Sequence, residues 1–190
     1  MSGTVCSSPR LLAAFVGFGA TLLLVTPAAA QQMIKLTGNH REISGSPVGM
    51  IAPDRMLTMM VVLKARNPQE LNSLIAQQQN PSAPNYHRWL TPQEFSQRFG
   101  PDQKQIDAVR DWLSAQGFEI VSSSPQNLSI TFKGCAGLAE KVFRTGIAAY
   151  PGGVYANLTD PSIPARFAGT IAAISGLDNT IRAVPAGTDN

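Results

Sequence analysis

Hydrophobic residues fall on both faces of an extended chain in the segment 55–64. One face carries four of them, Leu57, Met59, Val61 and Leu63. Met60 and Val62 lie on the opposite face, and the β-branched content of the segment adds to its preference for a strand. The segment is therefore predicted to be a strand that is covered at least partly on both sides.

Two similar signatures predict the starts of helices. Asn67-Pro68-Gln69-Glu70 provides a capping residue, a proline suited to the first turn and an acid that can reach back to the cap. Thr91-Pro92-Gln93-Glu94 repeats this arrangement. The first helix is predicted to end near Gln79, and Phe95 and Phe99 at i,i+4 form the apolar edge of a short second helix.

Further elements follow in the second half of the chain. Residues 101–116 carry an apolar stripe at helical spacing, and Gly117 is placed to end that helix. Two strands are predicted over 118–123 and 128–133, and another helix over 136–143.

A hairpin predicted over residues 146–157 supplies the last strand. The element order is then strand, helices, strand, strand, helix, strand. This order predicts an α+β fold of the ferredoxin-like split βαβ type, in which helices pack on one face of an antiparallel sheet. The other face would be exposed or covered by a partner, because the first strand is apolar on both sides.

The first thirty residues have the pattern of an export signal. Arg10 precedes an apolar run over 11–25, Pro27 interrupts it, and small residues lead to a predicted cleavage site between Ala30 and Gln31. A membrane anchor is the alternative, but the run is shorter than the roughly 20 residues that span a bilayer. Residues 1–30 are therefore predicted to be a signal peptide, and the mature protein is expected to be secreted or periplasmic, without a membrane partner.

Composition narrows the possible functions of the mature chain. The 15 Lys and Arg residues exceed the 12 Asp and Glu residues only slightly and are scattered singly, which argues against nucleic-acid binding. Cys6 and Cys135 are too few for a disulfide framework or a structural zinc site. Residues 31–54 are polar and interrupted by glycine and proline, so they are predicted to be a flexible leader.

The sequence lacks the common signatures of an enzyme site. No metal-ligand spacing, phosphate-binding glycine loop, dinucleotide fingerprint or nucleophile elbow occurs in it, and His40 and His87 are isolated. Asp107 and Asp111 form the one neat carboxylate pair, but they lie beside Arg110 and off the apolar stripe, which favours a solvated face. No catalytic residue, metal site or cofactor is predicted.

The run Tyr86-His87-Arg88-Trp89 is a candidate partner-binding site. Tyr, Trp and Arg dominate the energetics of protein interfaces, so this cluster has the composition of a binding hot spot. The alternative is that Tyr86 and Trp89 pin the turn-rich insert at 80–85 onto the neighbouring helices. The sequence weighs the two interpretations about equally.

Several segments together resemble the activation domain of the sedolisin/kumamolisin family of secreted serine-carboxyl peptidases. The segments that carry the resemblance are Leu63–Pro68, Pro81–Phe95, Phe99–Pro101, Ala139–Phe143 and Ile174–Asp178. The run Pro-x-Tyr-His-x-Trp-Leu-Thr-Pro-x-Glu-Phe, with its flanking elements, is fairly specific. The resemblance extends over 55–180, which is predicted to be a peptidase pro-domain, and 181–190 would begin a linker.

The resemblance implies a fold like that of subtilisin propeptides and a role as folding chaperone and inhibitor. Such domains pack their sheet on helices of a sedolisin-type peptidase domain. The family's catalytic Glu, Asp and Ser and its calcium site belong to that following domain, so the resemblance implies no catalytic role for any residue here. The peptidase domain would be bound in trans or come from a split gene.

Three alternatives stay open at this point. The chain could be an orphan secreted binding module of ferredoxin-like fold, or a fragment of a truncated peptidase. An acylphosphatase-type enzyme shares the topology, but it needs a phosphate-binding loop beside the first strand. The segment 64–68 has no glycine for such a loop, which disfavours the enzyme.

Overall fold

The computed structural model describes residues 32–124 and 128–180. The predicted signal peptide at 1–30, its cleavage site between Ala30 and Gln31, and the tail at 181–190 lie outside the described residues. The same holds for three residues of the predicted turn at 125–127.

The described residues form short strands, four helices and two 3₁₀ turns. The helices are α1 (Pro68–Gln79), α2 (Pro92–Phe99), α3 (Gln103–Ala115) and α4 (Ala136–Phe143). The strands are β1 (Met33–Lys35), β2 (Gly49–Met50), β3 (Met56–Leu63), β4 (Glu119–Ser123), β5 (Ser129–Cys135), β6 (Ile147–Ala149), β7 (Tyr155–Asn157), β8 (Ser162–Pro164) and β9 (Ile171–Ser175). The 3₁₀ turns are Pro151–Gly153 and Ala165–Phe167.

Four strands form the main antiparallel sheet, in the order β4-β5-β3-β9. β3 lies inside it, paired with β5 on one side and with β9 on the other. In chain order the four strands are β3, β4, β5 and β9, so the sheet order across space is second, third, first, fourth. The connection from β3 to β4 contains α3, and the connection from β5 to β9 contains α4. This is the arrangement of the split βαβ fold, so the predicted α+β class and ferredoxin-like topology are confirmed.

The fourth strand of this sheet is β9, and not the hairpin predicted at 146–157. The hairpin forms as β6 and β7, but it pairs with β2 in a separate three-stranded sheet. Ile171 and Ile174 are the buried positions of β9, three residues apart. The register with β3 shifts between Val62 and Leu63, and this irregularity breaks the period-two pattern that identifies a strand.

The segment 32–54, predicted to be a flexible leader, contacts the rest of the described residues at both of its ends, while 44–50 are exposed. β1 pairs with β8, β2 pairs with β6, and Leu36 and Ile51 are buried in the core. The side-chain amide of Asn39 lies along β9, where its Nδ2 donates to the Ile174 oxygen at 2.8 Å and its Oδ1 accepts from the Ile174 nitrogen at 2.6 Å. Asn39 and Ile174 are 135 positions apart, so local composition gave no sign of this contact.

The first helix begins as predicted, but by a different local structure. α1 starts at Pro68 and ends at Gln79, whereas the side chain of Asn67 makes no capping hydrogen bond and its backbone is left-handed, with φ 49°. α2 has the predicted capping box, in which Thr91 accepts from the Glu94 N–H and the Glu94 carboxylate accepts from the Thr91 N–H.

The main core lies between the sheet and two helices. The buried residues on the inner face of the sheet are Leu57, Met59, Val61, Leu63, Ile130, Phe132, Ile171 and Ile174. The helix residues packed with them are Ile106, Val109, Trp112 and Leu113 of α3 and Ala136, Ala139, Val142 and Phe143 of α4. Aromatic rings bridge the layers, since the ring of Phe118 lies 5.0 Å from that of Phe132 and 5.6 Å from that of Phe143.

α1, α2 and the insert between them, residues 68–99, form a smaller unit that we call the α1–α2 hairpin. Leu74 and Phe99 are buried, but among the described residues they are not members of the main core cluster. Arg98 pairs with Glu70 inside the hairpin at 2.6 Å. Arg66, just before α1, pairs with Asp102 at the start of α3 at 2.6 Å and donates to the Gln97 oxygen of the hairpin at 2.9 Å. The hairpin therefore packs largely within itself.

Candidate partner-binding surfaces

The side of the main sheet that faces away from α3 and α4, which we call the outer face, is open. The cross-strand register places eleven accessible side chains there: Met56, Thr58, Met60, Val62, Glu119, Ser122, Ser129, Thr131, Lys133, Ala173 and Ser175. Cys135, at the end of β5, also falls on this side. These eleven are exposed or half-buried and Cys135 is 4% exposed, whereas Leu57, Met59 and Val61 on the other side of β3 are at most 2% exposed. The described residues therefore bury one face of the sheet and leave the other accessible.

The outer face has a raised centre and two shallow flanks. Met60 and Val62 of β3 stand between small side chains, Ser129 and Thr131 on β5 and those of β9 on the other side. Neighbouring strands are about 4.8 Å apart, so the two flanks lie roughly 10 Å from each other. Packed helices have interaxial distances of about 8–10 Å, and the relief therefore suits two adjacent helices of a partner.

The second surface is the aromatic cluster, which consists of Tyr86, His87 and Trp89 with the exposed Arg88. The Tyr86 and His87 rings stack with their centroids 3.8 Å apart, and the His87 and Trp89 centroids are 6.0 Å apart. Trp89 is 65% exposed and Tyr86 is 38% exposed. The cluster is therefore accessible to a partner, and Trp89 is its most exposed ring.

Trp89 also borders an apolar groove of about 250 Å³ in the α1–α2 hairpin. The lining residues are Leu71, Leu74, Ile75, Gln78, Trp89, Leu90 and Phe95. One edge of the indole thus contacts the hairpin while most of the ring stays accessible. Pinning of the insert and presentation to a partner are both compatible with this placement, so partner binding by residues 86–89 stays a prediction.

One residue that holds the aromatic cluster in place, Gln78, was not identified from the sequence. Gln78 is 5% exposed, its side-chain Nε2 donates to the Arg88 carbonyl oxygen, and its own carbonyl oxygen accepts from the His87 N–H at 3.1 Å. A signal was present, because Leu71, Leu74 and position 78 stand at i, i+3 and i+7 on one helix stripe. A polar residue on an otherwise apolar stripe indicates a buried hydrogen bond.

The groups considered for catalysis do not converge into a site. Asp107 accepts from Gln103 at 2.9 Å and lies 3.7 Å from the Arg110 guanidinium, and Asp111 is exposed, so the pair lies on a solvated face. The ring of His40 contacts the Asn157 carbonyl oxygen at 2.7 Å. Over the described ranges, no group of three or more His, Cys, Asp or Glu residues could hold a metal ion. No helix in those same ranges has the length and apolar character needed to cross a membrane.

The capping box of α2 has a pH-dependent element. The Glu94 carboxylate accepts from the backbone N–H and the hydroxyl of Thr91, both at 2.8 Å, and these bonds hold the pKa of Glu94 below its ordinary value of 4.5. A carboxyl whose pKa is lower in the folded state stabilises that state above its unfolded pKa, and this contribution is lost as the pH falls through the folded pKa. The cap of α2 should therefore weaken only below about pH 4.5.

Glu94→Gln tests this linkage. The variant should be less stable than the wild type at about pH 6, and the difference should shrink as the pH falls from about 4.5 to about 3, because protonation removes the same charge from the wild type. Urea unfolding at a series of pH values measures the difference, and NMR titration of the Glu94 carboxyl should give a midpoint below 4.5. Glu42→Gln, at an exposed position outside the α1–α2 hairpin, is the control. A stability difference that does not depend on pH would contradict the prediction.

Comparison with known proteins gives consistent matches over most of the chain. A family profile described as "Pro-kumamolisin, activation domain" matches residues 45–180. Xanthomonalisin from Xanthomonas sp. (strain T-22) is 35% identical over 149 residues, which cover 77% of this chain and 18% of that protein. Sedolisin from Pseudomonas sp. (strain 101) is 26% identical over 185 residues, which cover 95% of this chain and 32% of that protein. Mouse tripeptidyl-peptidase 1 is 31% identical over 70 residues, covering 37% of this chain and 12% of its own length.

The chain thus spans between about a fifth and a third of the length of the first two relatives. In each of these proteins the matching region is accompanied by a much longer remainder.

Proposed function

The chain belongs to the pro-kumamolisin activation domain family, and from this we propose that it is an exported, non-catalytic domain that assists folding of a sedolisin-type peptidase domain and inhibits it. The open outer face is the observation that carries the proposal. A protein that binds only the native state of a partner stabilises that state by mass action, and the same complex blocks access to the partner's substrate. One binding surface therefore accounts for both roles.

The relief of the outer face supports a helical partner surface. Met60 and Val62 supply the apolar centre, while the polar rim includes Glu119 and Lys133 directly opposite each other on neighbouring strands. An apolar centre with a polar rim is the usual composition of a specific interface. We infer that two helices of the peptidase domain pack along the flanks of β3.

The aromatic cluster is proposed as a second contact with the same partner. It lies on the α1–α2 hairpin, outside the main core, so the fold of the sheet does not depend on it. The exposed Trp89 and Tyr86 rings and the Arg88 side chain are of the residue types that contribute most to binding energy. The partner is expected to meet these rings with an apolar surface.

The proposed function is tested by mixing the exported chain with the separately prepared catalytic domain of xanthomonalisin. Stoichiometric loss of peptidase activity and a higher yield of active enzyme after dilution from denaturant are the expected results. A second peptidase of unrelated fold serves as the control and should be unaffected. Absence of both effects would exclude the xanthomonalisin domain as a partner and favour an orphan binding module.

Trp89→Ala should weaken that inhibition by about 10-fold to 30-fold, the typical cost of truncating an interface hot spot. Because Trp89 is 65% exposed, the thermal unfolding midpoint should change little. Trp112→Phe is the contrasting variant, since Trp112 is 5% exposed and its replacement should lower stability while preserving inhibition by the folded fraction. Wild-type inhibition by Trp89→Ala would assign Trp89 to pinning of the insert alone.

A further inference from the structure

Gln78 carries a buried amide in the α1–α2 hairpin, and this residue is hydrogen-bonded to the aromatic cluster through both its side chain and its main chain. Burying an amide without hydrogen-bond partners costs free energy, so the partners of a buried amide indicate which part of the structure it stabilises. The side-chain Nε2 donates to the carbonyl oxygen of Arg88, and the main-chain oxygen of Gln78 accepts from the N–H of His87. One helix residue thus binds two consecutive residues of the cluster.

The backbone of the cluster needs this support. His87 has a left-handed conformation, with φ 54°, which costs free energy in a residue other than glycine and persists only where neighbouring contacts enforce it. The side chain of Asn85 adds a third restraint, since its Nδ2 donates to the Gln77 Oε1 at 2.7 Å. The insert is therefore tied to the last turns of α1 immediately before and within the cluster.

We propose that Gln78 is a positioning residue of the partner-binding surface. It fixes the backbone at 87–88, and this sets the order in which Tyr86, His87 and Trp89 stack before any partner arrives. Association of a preorganised surface avoids the loss of conformational freedom that a mobile loop would suffer on binding. This inference rests on the proposed role of the aromatic cluster. It identifies Gln78 as the residue of α1 that holds the cluster in its binding conformation.

A purely structural role for Gln78 makes a different prediction. If Gln78 only completed the packing of the α1–α2 hairpin, its replacement would lower stability without altering the behaviour of Trp89 or its contribution to binding. The two roles are separated by measuring the indole directly. Trp112, the second of the two tryptophans in the sequence, is 5% exposed, so acrylamide quenching of fluorescence reports mainly on Trp89.

Gln78→Met in the full exported chain is the test, because methionine keeps the side-chain length and the helix preference but removes the amide. Gln79→Met, at the exposed neighbouring position, is the matched control. We expect Gln78→Met to increase the quenching of Trp89, to lower its fluorescence anisotropy and to weaken inhibition of the xanthomonalisin catalytic domain about 10-fold. Gln79→Met should leave all three unchanged. If Gln78→Met does not fold, Gln78→Ala provides the same test without a bulky side chain beneath Arg88.

Double variants show whether Gln78 acts through Trp89. Combining Gln78→Met with Trp89→Ala should weaken inhibition no further than Trp89→Ala alone, since residues that act as a unit are non-additive. Additive losses, or unchanged quenching and anisotropy in Gln78→Met, would overturn the positioning role even if Trp89→Ala impairs inhibition. If the wild-type chain does not inhibit at all, the proposed function fails, and the fluorescence measurements still decide whether Gln78 holds Trp89.

Discussion

Replacing Met60 by aspartate should weaken inhibition of a sedolisin-type peptidase domain by about 100-fold or more, because it places an unpaired charge at the centre of the proposed interface. Met60 lies on the outer face, half-buried between Thr131 on one side and Ser175 on the other. The main core is on the opposite face of β3, so the variant should keep the wild-type circular dichroism spectrum. Inhibition constants and spectra of the same preparations measure the two effects.

Val48→Asp is the control for this experiment. Val48 is 70% exposed and lies next to β2, in a different sheet, so the same charge there should leave inhibition within about twofold of wild type. If Met60→Asp and Val48→Asp inhibit equally well, the outer face does not bind the peptidase. The aromatic cluster would then be the main contact to test.

Gly176→Ala should lower the free energy of unfolding by about 3 kcal/mol, through backbone strain and a steric clash together. Gly176 has φ +90°, and a Cβ atom there would lie 2.4 Å from the Thr58 oxygen and 2.9 Å from the Met59 Cα. These are backbone atoms of β3, which cannot move aside without disturbing its pairing with β9. Urea unfolding of the wild type and the variant measures the loss.

Two other glycines separate the contributions. Gly152 has φ +75°, and a methyl group there would meet nothing within 4 Å, so Gly152→Ala should show the cost of strain alone, about 1 kcal/mol. Gly169 lacks both features, and Gly169→Ala should be nearly neutral or slightly stabilising. A loss in Gly176→Ala no larger than that in Gly152→Ala would show that β3 accommodates the methyl group.

Local sequence patterns were sufficient to predict the helices and strands whose capping residues and hydrophobic spacing lie within the element itself. The Thr91–Glu94 capping box predicted the start of α2, and the apolar stripe of residues 101–116 predicted α3 to within two residues at its start. β3 and β5 alternate regularly because each has one buried and one open face. Helix spacing and strand alternation record which face meets the core, and this information is local.

The parts that were missed depend on partners distant in the sequence. β9 has a short, irregular pattern, and only its pairing with β3 makes it a strand of the main sheet. Leu36 and Ile51 hold the leader in the core, but two apolar residues in a polar stretch do not form a period. Asn67 also lacks the cap bond that its residue type suggested, because its backbone is left-handed.

The candidate site was predicted only in its composition. The residue types at 86–89 indicated a hot spot, but the exposure of Trp89 depends on how the insert folds over α1, which no local pattern specifies. Gln78 was visible in the sequence as a polar residue on an apolar helix stripe. Its hydrogen-bond partner, the Arg88 carbonyl oxygen, could be identified only from the structure. The outer face followed from the fold, since a sheet with helices on one side leaves the other side open.

The side chain of Asn39 has a consequence for self-association of the protein. The edge of a β-sheet can recruit an extended segment of another molecule, and this is a common route to aggregation. Along β9, the amide of Asn39 already occupies both the N–H and the carbonyl group of Ile174, as a neighbouring strand would. At the other edge, β4 is short and irregular, with a register shift between Ile120 and Ser122. Asn39 at one edge and the irregular β4 at the other therefore disfavour edge-to-edge polymerisation of this sheet into fibrils.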